Sequence, residues 1–532
     1  MNLALVVTIG GDLVRSSEHL GIGYLAAILR KNNHNVTILE INAEDIENEE
    51  KYLSLLSGYG LIGFTTTCVT MRHIIRFASK AKQQYPKTNI LLGGHMATFG
   101  GSEIMEKYPA IDFLILGEGE QTILDLVNAL EGKKDLASVA GIAYRKNNKI
   151  IYTKSRNLIS NLDDLPFPSR DQFELHGKNF QYLRVSTSRG CLGNCAFCSS
   201  FVGRTQKGPC WRGRSPKNVV DEIEELVRKY NFYTYDFVDS SFEDPGNIGK
   251  QRIMEIAKEL LNRNLNIYYN CCFRAENWSD ADTPLLSLLV ESGLEKVNIG
   301  FESGNDRGLR ILNKRATMAD NWRVLSVMKK HPLIYVTFGF IMLHPYSTIE
   351  DIKDNANFLY HTGIGQVIRH YFWILEVYPG TQLEKKLHDD NLLRKEYDIE
   401  DGMYQYNFVD AEMEVLSRIF KQMLTIKSVW DFEIFDIVLH TFVSRLMRRY
   451  GNTNIRSKIV EFHSYINRER KVIADFNYNF FMEILFLKDR CDICKMKKNL
   501  DDFLTMKMKQ ITNKQYLFGV ELTRSGYDLN LR

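Results

Sequence analysis

Three cysteines fall within eight positions in "SRGCLGNCAFCSS", at Cys191, Cys195 and Cys198, spaced C-x3-C-x2-C, and no fourth cysteine follows close behind. A structural zinc site prefers four ligands, often as two paired C-x2-C halves. Three thiolates instead suit a cubane iron–sulfur cluster, holding three irons and leaving the fourth open, an arrangement for catalysis rather than electron carriage alone. Gly190 and Gly193 let the backbone fold tightly around such a cluster. Mononuclear zinc, and three cysteines placed together by accident, are the blander alternatives.

The elements that must position this loop follow from periodicity. From Met1 to about residue 155, short apolar runs ("LALVVTI", "NVTILEI", "LIGFTTT", "NILLGG", "DFLILG") alternate with helical stretches. That pattern predicts an α/β domain with a Rossmann-like parallel sheet. Residues 156–180, with two prolines and no period, read as a linker. A second alternation over 181–395 runs through "YLRVSTS", "YDFVDS", "NIYYNCC", "KVNIGFES", "IYVTFGFIML" and "RHYFWILEVYP". Six strands with intervening helices predict a partial (β/α)6 barrel. The cysteine loop directly follows the first of them, at the strand end where such folds place their chemistry. Residues 396–532 turn to long amphipathic helices rich in aromatics, read as a domain that caps the active site.

Bulk composition narrows the class. At 532 residues, 44% hydrophobic and 25% charged, the chain is an ordinary globular protein with room for several cores. A net charge of +3 gives no reason to expect nucleic acid. "MNLALVVTIGG" lacks a basic flank and a cleavage site, so it reads as a buried first strand rather than a signal peptide. No apolar run is long enough to span a bilayer. Nine irregularly placed cysteines do not look like a secreted disulfide framework, and a reducing cytoplasm is the expected location.

The cysteine motif, with Phe197 before its last cysteine, resembles the signature of radical S-adenosylmethionine enzymes. The resemblance implies a [4Fe-4S] cluster on Cys191, Cys195 and Cys198 whose open iron is chelated by S-adenosylmethionine, yielding a 5′-deoxyadenosyl radical. It extends through "KVNIGFESG", placing Glu302 and Ser303 where ribose or the methionine amine is held, and through "VTFGFIMLHPYSTIED" and "VYPGTQLEKKL". "FVDSSFED" resembles the second-strand segment through Asp239, although Ser240 and Ser241 depart from the pattern. Arg274, in "CCFRAE", could pair with the S-adenosylmethionine carboxylate through its planar fork, or be a surface arginine at a strand end. These residues, with Phe197, form the expected S-adenosylmethionine site.

The first array resembles the cobalamin-binding domain of the radical S-adenosylmethionine enzymes that also use vitamin B12, on "ILLGGHMATFGGSEIMEKYPAIDFLILGEGEQTILDLV". The expected cobalamin residues are Thr65, Thr66, Thr67, Gly93, Gly94, His95, Gly117, Glu118 and Gly119. Glycines there permit close approach of a cofactor to the backbone. No histidine satisfies the Asp-x-His-x-x-Gly motif of many B12 proteins: His19, His34, His73 and His95 all lack the flanking aspartate and glycine. Cobalt would then lack that ligand, which favours the nucleophilic Co(I) state. His95 reads as a loop histidine that packs near the corrin or the turn, with ligation the alternative. Cys271 and Cys272 read as core thiols, and Cys491 and Cys494 have zinc half-site spacing without a second pair.

The resemblance implies a methyltransferase that uses cobalamin, the cluster and S-adenosylmethionine to methylate an unactivated carbon through methylcobalamin. Its substrate would be a small-molecule or peptide natural product, and its electron donor a protein such as flavodoxin or ferredoxin. The alternatives are a B12-dependent rearrangement or cyclisation, and a radical enzyme whose first domain is a non-cobalamin scaffold.

Overall fold

In "NLALVVTI" every second residue is large and apolar on one side, and the strand it forms, β1 (Asn2–Ile9), divides its side chains accordingly. Leu3, Leu5 and Val7 enter one buried layer, while Ala4 and Val6 enter another. The structure, a computed structural model, describes residues 1–9, 18–42, 48–147, 149–176, 180–199, 206–394, 398–487 and 490–531. They form two compact units: Met1–Ile267 with Glu376–Gln405, and Tyr268–Leu375 with Tyr406–Arg532.

The first unit opens with a seven-stranded sheet in the order β2-β1-β3-β4-β5-β6-β7. Its strands are β2 (Asn35–Asn42), β3 (Leu61–Thr66), β4 (Asn89–Gly94), β5 (Phe113–Ile115), β6 (Ile142–Lys146) and β7 (Lys149–Tyr152), besides β1. Pairings from β2 through β5 are parallel, and β6 and β7 add an antiparallel edge hairpin. Helix α1 (Leu20–Lys31) and α3 (Glu120–Leu130) cover the Leu3–Leu5–Val7 face; α2 (Met71–Gln84) covers the other. With both faces covered, the central strands are apolar on both sides, as parallel sheets require.

Two further parallel strands, β8 (Leu183–Val185) and β11 (Thr234–Phe237), pair in the same unit. Between them lie a short antiparallel pair, β9 (Ser188–Gly190) with β10 (Trp211–Gly213), and helix α4 (Pro216–Tyr230); α5 (Gly246–Asn262) follows β11. Arg170, from the proline-containing segment, ties this region to β8. It pairs with Glu18 and lies 2.5 Å from Glu222, while Arg214 pairs with Glu222 from the other side. Arg170 also donates to the carbonyl of Arg184 at 2.9 Å, and Arg214 to that of Ser186 at 2.9 Å.

The second unit carries β12 (Tyr268–Arg274), β13 (Leu294–Glu302) and β14 (Tyr335–Phe340), all parallel, with α6 (Thr283–Glu291), α7 (Met318–Lys329) and α8 (Ile349–His361). Helices α9 (Ala411–Met423), α10 (Lys427–Tyr450), α11 (Arg456–Ile484) and α12 (Arg490–Arg524) complete it. Buried Asp436 on α10 accepts from Tyr335 of β14 at 2.7 Å and from Arg470 of α11 at 2.8 Å, locking the helices to the strand. The stretch expected as a sixth strand begins as a short helix, Arg369–Phe372, and contributes one parallel bridge, Ile374 to Leu343. Its run of buried residues, His370 to Phe372, satisfies either conformation, because a short wholly buried segment carries no distinguishing period. Among the described residues no helix is long and apolar enough to cross a membrane. Cys494 is exposed, and the side chain of Cys491 lies outside the described residues.

Removing one member of a buried ion-pair set strands the others. Arg170→Met leaves Glu18 without its guanidinium partner and Glu222 with one partner fewer, at a cost of about 3–5 kcal/mol. A clear fall in the thermal midpoint is expected; an unchanged melt would show that the network carries no stability.

Candidate functional site

The first unit contains a cavity of about 380 Å³ where the carboxyl ends of β1, β3, β4 and β5 meet α1. Of the residues singled out from the sequence, Thr65, Gly93, Gly94, Gly117, Glu118 and Gly119 line it. The neighbouring threonines have other work. Thr66 is buried, donates to the carbonyl of Gly93 at 2.8 Å and accepts from the amide of Ala97 at 3.1 Å. Thr67 bonds Thr70 at 3.0 Å in the turn before α2. His95 does not line the cavity; its ring packs against Phe99 at 4.7 Å, and its Nε2 is buried without a partner among the described residues.

Two of the lining glycines are required for different reasons. Gly94 has φ +97°, and a Cβ on it would lie 2.7 Å from the carbonyl oxygen of Thr66. Backbone conformation and packing both demand glycine there. A Cβ on Gly93 would meet only Ile115, at 4.0 Å. Packing tolerates a side chain at Gly93, so its absence keeps the cavity open.

Sequence reasoning missed His19, Tyr24 and Arg189 as cavity residues. His19 caps α1: its Nδ1 accepts from the amide of Ile22 at 3.3 Å, which leaves the proton on Nε2, 3.3 Å from the Thr65 hydroxyl. Desolvation drops its pKa to about 4, so the ring is neutral near pH 7. The signal was present in "EHLGIGYLAAIL", a polar residue directly before a helical period with glycines in its first turn.

The cysteine loop leaves the short strand β9. Gly190 has φ +87°, and a Cβ there would collide with the carbonyl oxygen of Cys210 at 1.8 Å, so the turn into Cys191 is open only to glycine. Gly193 donates its amide to the Cys191 sulfur at 3.2 Å. A Cβ on Gly193 would sit 3.3 Å from the sulfur of Cys191 and 3.8 Å from that of Cys195, so its missing side chain forms the cradle between two thiols. All three thiols are half-buried, as are Phe197 and Gly193. Asp239 is buried beneath the loop's entry and accepts from the amide of Thr187 at 2.8 Å, its hydroxyl at 2.5 Å and the amide of Ser188 at 2.6 Å. Asp244 accepts from the amide of Leu192 at 2.9 Å, and the carbonyl of Ala196 accepts from Leu383 at 2.8 Å. Among the described residues no three histidine, cysteine, aspartate or glutamate side chains are gathered tightly enough to hold a metal ion. Three thiols carried on one glycine-hinged loop are the donor set that a cluster with one open corner would use.

The second unit holds Arg274, Glu302 and Ser303. Arg274 is 8% exposed and donates Nε to Glu276 at 3.0 Å, so it is not a surface arginine. Glu302 ends β13 in a left-handed conformation, φ +63°, with Lys314 at 3.2 Å. Ser303 donates to Asn355 at 3.1 Å.

The B12 binding domain family matches residues 4–127, and the Radical SAM superfamily matches residues 185–359. The chain thus joins a B12 binding domain to a Radical SAM domain. It is 29% identical over 411 residues to an uncharacterized methyltransferase of Pyrococcus horikoshii, covering 75% of this chain and 86% of that one. It is 28% identical over 343 residues to the anaerobic magnesium-protoporphyrin IX monomethyl ester cyclase of Rubrivivax gelatinosus, covering 61% and 59%. In fold it is similar to the cobalamin-dependent S-adenosylmethionine radical enzyme OxsB, solved with aqua-cobalamin and S-adenosylmethionine bound. That likeness has a TM-score of 0.70 at 19% identity, covering 96% of this chain and 83% of that one.

Because the space beside Gly93 is cavity, Gly93→Val should leave the melt near wild type while filling that space. Overpacking of about 1–3 kcal/mol corresponds to cobalamin binding roughly 5- to 150-fold weaker, read by spectroscopic titration. Undiminished binding would place the cofactor elsewhere. The neutral His19 has a separate consequence. The unfolded chain takes up its proton near pH 6.5 and the folded chain only near 4, so this residue makes stability fall as pH drops through that window. His19→Gln should flatten the slope of denaturation midpoint against pH between 6.5 and 4.

Proposed function

We propose that the chain is a cobalamin-dependent radical S-adenosylmethionine methyltransferase that methylates an unactivated carbon of a small-molecule or peptide substrate. One observation carries the reading: a glycine-lined cavity at the sheet's carboxyl edge and a three-cysteine loop occur in one compact unit, with Arg189 of the loop's own strand in the cavity wall. The cluster and S-adenosylmethionine would supply the hydrogen-abstracting radical, and cobalamin the transferable methyl group.

The residues fit these groups. Cys191, Cys195 and Cys198 provide three thiolates and no fourth, as an open cluster iron needs. The cavity, lined by Leu5, Gly63, Leu91 and Ile115 among others, would take the cofactor or a part of it. His19 offers no free lone pair to cobalt, since Nδ1 accepts from Ile22 and Nε2 carries the proton. Glu302, Ser303 and Arg274 are proposed to hold S-adenosylmethionine, with Arg274 exchanging its bond to Glu276 for the ligand's carboxylate, and Phe197 flanking the cluster. Asp239 has its acceptors turned to Thr187 and Ser188, so its proposed role is to position the loop rather than touch the ligand. The proposed division is a cobalamin domain over 1–155, a linker over 156–180, a barrel over 181–395 and a helical domain over 396–532. Cytoplasmic location and reduction by a flavodoxin- or ferredoxin-like donor complete the proposal. Similarity to a cyclase favours cyclisation without methyl transfer as the second reading.

Protein reconstituted without oxygen should bind about four irons, and the triple Cys191, Cys195 and Cys198→Ala variant none. With methyl-labelled S-adenosylmethionine and substrate, S-adenosylhomocysteine and 5′-deoxyadenosine should form in near-equal amounts and the label should reach a substrate carbon. 5′-Deoxyadenosine with little S-adenosylhomocysteine and an unlabelled product would transfer the assignment to the cyclase reading.

A further inference from the structure

Arg189 lies two residues before Cys191, in β9, and its side chain lines the cavity. The guanidinium is 2.6 Å from Glu120, 3.3 Å from Glu118 and 5.1 Å from the ring centre of Tyr24. Glu118 and Glu120 flank Gly119, where the cavity wall turns into α3. Arg212, paired across from Arg189 in β10, donates to both oxygens of Glu118 at 2.9 Å. The amide of Ile159 donates to Glu118 at 2.9 Å as well. The strand pair that launches the cysteine loop is therefore clamped, through two arginines, to the turn that walls the cavity. Glu118, expected from the sequence to contact cofactor directly, has both oxygens committed to this clamp.

We propose that Arg189 is a positioning residue that couples occupancy of the cavity to the state of the cysteine loop. It rests on the reading above, in which the cavity takes cobalamin and the loop takes the cluster. The physical basis is the geometry of the planar fork, which spans two carboxylates at once and so cannot follow a shift of the loop without releasing one of them. A wall and a loop sharing one cation have linked equilibria, and linkage makes the effect reciprocal. Filling the loop with iron and sulfide changes the affinity of the cavity, and filling the cavity changes the loop by the same factor.

The test is the ratio of hydroxocobalamin dissociation constants for cluster-free and cluster-loaded full-length protein. Wild type should give a ratio of roughly 5- to 150-fold, the usual range of site–site coupling. Arg189→Lys, which keeps the charge but loses the fork, and Glu120→Gln, which breaks the bridge without touching the strand pair, should bring the ratio close to one. A merely structural loss would weaken both forms alike and leave the ratio standing. A wild-type ratio of one, or a wild-type ratio retained in both variants, overturns the coupling while cobalamin and iron binding survive. Failure of wild type to bind cobalamin or iron at all removes the underlying site reading instead.

Discussion

The buried carboxylate of Asp239 takes three hydrogen bonds from Thr187 and Ser188, and what the cysteine loop can present depends on that junction. A buried charge left without donors is costly, so the two residues entering the loop are held where they are. Burial pushes the carboxyl's pKa up, while Arg252 opposes the shift and donates to the carbonyl and hydroxyl of Thr187 at 3.2 Å. Beyond it, left-handed Gly190 turns the chain, and Asp244 catches the amide of Leu192. The loop is rigid at entry and supported near its start, yet its thiols stay half-exposed. A cofactor-binding constellation needs that combination, because ligands set on an unsupported loop lose their geometry.

The cavity is built on a different balance. Part of its wall is apolar, from Leu5, Leu91, Ile115 and Ile123, and several of its polar groups are paired with one another. Arg189 answers Glu118 and Glu120, and His19 is kept neutral between the Ile22 amide and the Thr65 hydroxyl. Among the described lining residues these charges are paired with one another, which favours recognition by shape and by neutral hydrogen bonds. That suits a large ligand. The two glycines differ accordingly: a missing side chain at Gly93 leaves cavity space, whereas Gly94 has a backbone that other residues resist.

Much of this was legible in the chain itself. The five parallel strands of the first sheet announce themselves because apolar runs bounded by helical periods have few other solutions, and "GEGE" and "LLGG" fall where strands end. The β6–β7 hairpin was not read, although left-handed Asn147 sits at its turn. The cavity-lining role of Thr65 and the internal roles of Thr66 and Thr67 could not be separated from sequence, since three successive threonines at a strand end alternate faces and then enter a turn. Asp239 is expected as a ligand contact only through the resemblance of "FVDSSFED" to a second-strand segment. Its engagement with Thr187, 52 residues earlier, is a tertiary fact that local pattern does not carry. Arg189 escaped notice for the same reason: its partners lie about 70 residues upstream in the other sheet's turn.

Glu302 shows how the second unit reaches the same end by strain. A non-glycine residue at φ +63° costs of order 1–3 kcal/mol and persists only where its surroundings enforce it. Here they do. Its carbonyl accepts from the amide of Ile341 at 2.8 Å, and the pairing of β13 with β14 slips between Gly300 and Glu302 to allow the turn. The carboxylate then lies where a Cβ on Gly300 would be 2.6 Å away and one on Gly339 about 3.1 Å away. Two glycines on adjacent strands thus clear the space this side chain fills, and Lys314 at 3.2 Å balances its charge. An unstrained residue at the strand end would point the carboxylate elsewhere and leave those glycines without purpose. Backbone, floor and counter-charge all serve the placement of one carboxylate, which is why Glu302, more than its neighbour Ser303 with its bond to Asn355, carries the proposed ligand contact in this unit.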